Sequence, residues 1–102
     1  MPDTMQAVGG LHEVLAALAD PIRLSMVAAL AHEGGGPVAC ARLYDGISKS
    51  TASHHFKVLR EAGVIRSLSR SGQTFQELRL DDVEAAHPGL LRSVIAAQES
   101  ER

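Results

Sequence analysis

Breaks in the chain constrain this sequence more than anything else in it. Asp20-Pro21, Gly34-Gly35-Gly36-Pro37, Asp45-Gly46, Gly63, Ser71-Gly72-Gln73 and His87-Pro88 cut 102 residues into short segments. Each break has a mechanism, because Gly supplies the backbone angles of turns and helix ends, and Pro cannot continue a helix from within. Between the breaks, Leu11, Val14, Leu15 and Leu18 recur at helical spacing, which predicts a helix over 11–18. Asp20 as cap and Pro21 at the first helical position open a second helix through Arg23, Met26, Val27 and Leu30. A short third helix is expected over Val38–Leu43. A fourth should run over Lys49–Ala62, capped by Ser48 and stopped at Gly63. Two β-prone runs, Val64–Arg70 and Thr74–Leu80, flank Ser71-Gly72-Gln73 and read as a hairpin. Asp81-Asp82 opens a last helical region, whose main part should start at Pro88 and reach Gln98.

The order α-α-α-α-β-β-α is mainly helical with one small β-hairpin. Two short helices joined by a Gly-containing turn, followed by a hairpin, make a winged helix-turn-helix arrangement. One domain is expected over residues 11–98, with loose ends at 1–10 and 99–102. With one Tyr, two Phe and no Trp, its core must be aliphatic. No apolar run approaches a membrane span, and the first ten residues do not read as a secretory signal. A single cysteine, Cys40, makes the cytoplasm the expected compartment and is expected to be a small buried residue rather than a redox sensor.

Net charge is −2, which taken globally argues against a polyanionic partner. The distribution of that charge argues the other way. Residues 42–79 hold seven basic and three acidic residues, whereas the rest of the chain holds three basic and nine acidic ones. A basic centre between acidic flanks suits a surface that faces phosphate; a solvated mixed-charge surface is the plainer alternative.

The most informative segment is Ser48-Lys-Ser-Thr-Ala-Ser-His-His-Phe-Lys-Val-Leu-Arg60. On a helix, Ser50, Ser53, His54 and Lys57 share one face, while Ala52, Phe56 and Leu59 share the opposite one. A helix in the major groove of double-stranded DNA needs this division, with short polar side chains at base edges and a cation at phosphate. The candidate DNA-binding residues are therefore Lys49, Ser50, Thr51, Ser53, His54, Lys57 and Arg60. The hairpin adds Arg66 and Arg70, which share a strand face, and Gln73 at the tip. His55 points towards the buried side and is expected to be hydrogen-bonded within the fold, with a DNA contact as the alternative. In the terminal helix Leu90, Leu91, Val94 and Ile95 form a wide apolar stripe. With Leu11 and Leu15 it would make a two-fold homodimer interface, unless both stripes pack within one chain.

Leu18-Ala-Asp-Pro-Ile-Arg-Leu24, followed by Ser48-Lys-Ser-Thr-Ala-Ser-His-His-Phe-Lys-Val-Leu-Arg-Glu-Ala-Gly-Val-Ile65, resembles the ArsR/SmtB family of bacterial regulators. The resemblance covers about Leu11 through Leu80. It implies a dimeric winged helix, operator binding, and repression relieved by a metal ion or another signal. Two ligand sets of that family do not carry over. One uses Cys-x-Cys before the turn, where Val38-Ala-Cys-Ala-Arg-Leu43 has one cysteine. The other uses Asp-x-His and a second His pair on the terminal helix, whereas the last twenty-two residues here hold His87 as their single histidine and no Asp-x-His. His12, His32, Cys40, His54, His55 and His87 are scattered, so the metal ligands stay unknown. A divalent Ni or Zn held between subunits, or control by an effector or partner protein, stays open. No catalytic activity is expected, since Gly34-Gly35-Gly36 lacks the Lys-Ser/Thr of a phosphate loop and no nucleophile motif accompanies Cys40.

Overall fold

The computed structural model describes residues 6–101. Five helices, α1 (Leu11–Leu18), α2 (Pro21–His32), α3 (Lys49–Glu61), α4 (Leu80–Ala86) and α5 (Leu90–Ser100), surround a small antiparallel sheet. Its strands are β1 (Val38–Ala39), β2 (Ile65–Arg70) and β3 (Gln73–Leu78), in the order β1-β3-β2. This is the winged helix-turn-helix arrangement, with β2 and β3 as the wing.

The expected helix over Val38–Leu43 is not there. Val38 and Ala39 pair with Gln76 and Phe75 of β3, and only Cys40–Arg42 turns, as a 3-10 turn. Burying Val38 against the sheet outweighs a helix too short to nucleate alone. The hairpin is also tighter than expected. Arg70 pairs with Gln73, so the turn is only Ser71-Gly72, with φ of 52° and 76°. Positive φ at both positions gives the twist that a two-residue hairpin requires. Leu80 leaves the strand to open α4, and α5 begins at Leu90 rather than at Pro88.

Caps set the helix boundaries. Asp20 Oδ2 accepts from the backbone N–H groups of Ile22 and Arg23 at 2.9 and 3.0 Å, and starts α2. Gly63, at φ 80°, ends α3: its N–H donates to Arg60 O and the Val64 N–H to Leu59 O, both at 3.0 Å. A second constraint falls on the same glycine, because a Cβ there would lie 2.6 Å from Val8 Cα. The segment preceding α1 passes over this spot, where the Gly9 N–H donates to Ala62 O at 2.9 Å. Residues 6–10 therefore differ from the loose end expected of them. Arg79 donates to Gln6 O and the His87 ring bonds Gly9 O. The rest of that expectation, residues 1–5 and 102, lies outside the described residues, and α5 carries helix on to Ser100.

Glu84 caps a helix other than its own. From α4 it accepts from Gly89 N–H at 2.9 Å, Leu91 N–H at 3.0 Å and Arg92 N–H at 3.2 Å, the orphan donors at the start of α5. The core gathers Val14, Leu18, Met26, Val27, Leu30, Phe56, Leu59, Ile65 and Val83, and Leu91 joins it fully buried. That corrects the placement of Leu91 at a dimer interface: its burial holds α5 onto the domain and contributes roughly 2 kcal/mol. No single helix is long and apolar enough to cross a membrane.

Backbone N–H donors hold both capping carboxyls below the usual carboxylate range, that of Arg23 foremost for Asp20 and that of Gly89 foremost for Glu84. The native state thus binds these protons less tightly than the unfolded chain does. The stabilisation is complete above the ordinary carboxylate range and is lost as pH falls through the lowered native values. Urea melts of Glu84→Gln should show a shallower loss of stability on acidification than the parent. Gly63→Ala should lose about 2 kcal/mol or more at any pH, from the left-handed backbone and the clash with Val8.

Candidate nucleic-acid interface

The α3 helix lies on α1, α2 and β2 and turns its other side outward. Ala52, Phe56 and Leu59 are buried, while Lys49, Ser50, Ser53, His54 and Lys57 are exposed. Apolar spacing alone dictates that division. Tyr44 meets Phe56 edge-to-face, with ring centroids 6.2 Å apart, and fixes the approach of the chain to the helix. Ser48 caps it, accepting from the Thr51 N–H at 3.1 Å while its hydroxyl reaches Thr51 Oγ1 at 2.9 Å. Thr51 is thus partly committed to the cap.

His55 is 8% exposed, and its Nδ1 lies 3.0 Å from Arg23 Nη1. A guanidinium only donates, so Nδ1 is the acceptor and the ring proton sits on Nε2. The expectation of a structural histidine holds. Its neighbour His54 is exposed at the surface.

The wing stands beside α3. Ser67, Thr74 and Gln76 of the wing share with Lys49, Ser53, Phe56 and Arg60 of α3 the lining of a cleft of about 220 Å³. Buried Gln76 closes the floor, accepting from Ser67 Oγ at 2.9 Å and donating to Cys40 Sγ at 3.2 Å. Cys40 itself is only partly buried. The opposite wing face carries Arg66, Leu68 and Arg70 across from Glu77, Phe75 and Gln73. Arg66 and Arg70 do share that face, yet their states differ. Arg66 Nε donates to Glu77 Oε1 at 2.7 Å, well back from the tip, whereas Arg70 and Gln73 are exposed beside the turn. Arg66 is thus ion-paired to Glu77 and Arg70 is not, although the two share the face expected of them. Sequence alone could not show this, because the Arg66–Glu77 pairing depends on a turn of two residues rather than three.

Pairing sorts the remaining cations. Arg42 binds Glu33, Arg79 binds Asp82 and Arg92 binds Glu84, while Arg23 donates to Ala17 O and His55. Among the described residues, the cations left without a carboxylate or an internal acceptor are Lys49, Lys57 and Arg60 on α3 and Arg70 at the wing tip. Also among the described residues, no three His, Cys, Asp or Glu side chains converge as metal ligands.

The profile of a helix-turn-helix domain matches residues 18–67, the span from the end of α1 into the wing. An uncharacterized HTH-type transcriptional regulator of Bacillus subtilis (strain 168), YceK, is 33% identical over 84 residues, covering 80% of this chain and 83% of that protein. The chain belongs to the HTH-type transcriptional regulators. Solved structures place the regulator's fold among those of the ArsR family. The transcriptional repressor BigR from Xylella fastidiosa aligns with a TM-score of 0.65 at 24% identity, over 85% of this chain and 84% of that one. The homodimeric winged helix-turn-helix DNA-binding domain of Mb0332 from Mycobacterium bovis, a possible ArsR-family regulator, aligns at 0.65 and 20% identity, over 89% and 77%. An ArsR-like regulator from Rhodococcus sp. RHA1 gives 0.65 at 20% identity, over 90% and 84%.

The cap at the start of α3 gives a direct check on how this surface is built. Ser48→Ala should lower stability by about 1 kcal/mol in urea denaturation, with the helix content of the folded state retained.

Proposed function

We propose that this regulator represses transcription as a homodimer, each protomer laying α3 in the major groove of an operator half-site with its wing tip against the flanking backbone. The observation that carries the reading is the distribution of uncompensated charge: Lys49, Lys57, Arg60 and Arg70 lie on α3 and the wing, while carboxylates elsewhere hold most of the other arginines. On a chain of net charge −2, such a concentration serves a polyanion. Ser50, Ser53 and His54 stand outward on α3 and supply the base-edge contacts, and Gln73 accompanies Arg70 at the tip.

A second copy of the chain is the occupant of the apolar face made by α1 and α5. Among the described residues, Leu11 and Leu15 are the exposed large hydrophobic ones, at 52% and 44%. Two adjoining grooves continue from them along α5, one through Leu90 and Val94, the other past Leu18 and Leu24 to Val94 and Ala97. Ile95, half-buried against the core, lines neither groove, and its place in the interface rests on the apolar stripe of α5 alone. The homodimeric state of the Mb0332 domain, which shares this fold, supports the assignment. The regulator acts in the cytoplasm on its operator and carries no chemistry of its own. Its signal, whether a Ni or Zn ion held between subunits, another effector or a partner protein, acts through a site other than the family's Cys-x-Cys or Asp-x-His ligands, which this chain lacks.

Binding to duplex DNA should weaken with salt, with a log–log slope near −7 if the four cations of both protomers reach phosphate. Arg70→Gln should shallow that slope by roughly 2 per dimer, and Arg66→Gln should leave it unchanged. Equal slopes for the two variants would refute the charge assignment. Leu15→Glu should sediment as a folded monomer at micromolar concentration and lose operator affinity. A folded Leu15→Glu dimer would refute the interface.

A further inference from the structure

The contact between the body of α3 and the rest of the protomer contains, among the described residues, a side-chain polar junction that joins three elements at a single arginine. Arg23, near the start of α2, donates through Nε to Ala17 O of α1 at 2.6 Å and through Nη1 to His55 Nδ1 of α3 at 3.0 Å. Its own backbone N–H donates to Asp20, whose Oδ2 lies 3.9 Å from the same His55 nitrogen. Apart from the Tyr44–Phe56 edge contact and the Gly9 N–H bond to Ala62 O at the C-terminal end of the helix, the contact is apolar packing, which resists separation but weakly opposes rotation or sliding of a helix about its axis. Hydrogen bonds are directional, and a planar fork that engages two acceptors fixes both at once.

We infer that Arg23 and His55 are positioning residues for operator recognition, setting the angle of α3 relative to α1. The inference rests on the proposed dimer, because it is α1 that carries Leu11 and Leu15 to the partner. In a two-fold dimer the separation and tilt of the two recognition helices follow from the α1–α3 geometry of each protomer. Reading two half-sites on one face of the duplex requires that geometry to be fixed. Neither side chain touches DNA, so their loss leaves the phosphate-facing cations in place. What is lost is register: the protomer still folds, the dimer still forms, and the two helices no longer meet both half-sites together.

The test uses the full chain and an operator selected by the parent protein from a randomised duplex pool. His55→Leu removes the acceptor at similar volume, and His55→Asn restores an oxygen near the place of Nδ1. His55→Leu should remain dimeric and bind a random duplex within twofold of the parent, while losing at least tenfold on the operator. His55→Asn should recover most of that loss. One base pair inserted between the half-sites should cost the parent at least tenfold and His55→Leu less than threefold, a readout that loss of stability alone would not move. Arg23→Lys, which keeps the charge but loses the fork, should show the same tolerance of spacing and serves if His55→Leu does not fold. Undiminished operator affinity, or an unchanged spacing penalty, in the folded variants overturns the inference. A parent protein that is monomeric or blind to DNA sequence overturns the proposed function instead.

Discussion

What the outward face of α3 can do depends on how firmly its inward face is held. Ala52, Phe56 and Leu59 sink into a core built from α1, α2 and β2, with Tyr44 closing over Phe56. A helix of 13 residues is marginal in isolation, so this tertiary burial keeps it helical. It also lets the exposed side consist of serines, a histidine and lysines, residues that contribute little to stability. The same reasoning explains why both ends of α3 are closed with care, by the Ser48 hydroxyl at one and the left-handed Gly63 at the other.

Much of this was legible in the sequence, and the reason is local. Asp20-Pro21, Ser48 and Gly63 act within one helical turn of themselves, and the helices they bound fall within a residue of the expected positions. The burial of α3 followed its 3.6-residue periodicity, including the inward turn of His55. What escaped depends on partners far along the chain. The strand at Val38–Ala39 exists because β3, more than thirty residues later, pairs with it, and two residues carry no periodicity to read. Leu91 lies in the same apolar stripe as Leu90 and Val94, and only the approach of α2 and α4 decides which side of a wide stripe becomes core. Nothing local announces that Glu84 caps a helix beyond its own.

Charge shows the same divide. Counting residues located a basic stretch but not the state of its members. Arg66 and Arg70 look alike in sequence, yet one spends its charge on a cross-strand glutamate and the other reaches solvent at the tip. Net charge over a segment therefore overstates the potential a ligand meets, and the map of unpaired cations is the better guide. By that measure the regulator concentrates its field on the outer side of α3 and at the wing tip.

The joint between wing and α5 has a mechanical consequence. One residue, Arg79, separates β3 from α4, and it is pinned by its N–H to Val64 O and by its guanidinium to Asp82. At the far end of α4, three backbone donors of the α5 start converge on Glu84. There is no slack loop in this path from the wing to the apolar face. A tilt imposed on α5 must either pull its N-terminus off Glu84 or drag α4, and with it the strand that forms half the wing. The wing and α5 are thus joined by hydrogen-bonded elements rather than by a long loop, so neither can shift far without straining α4.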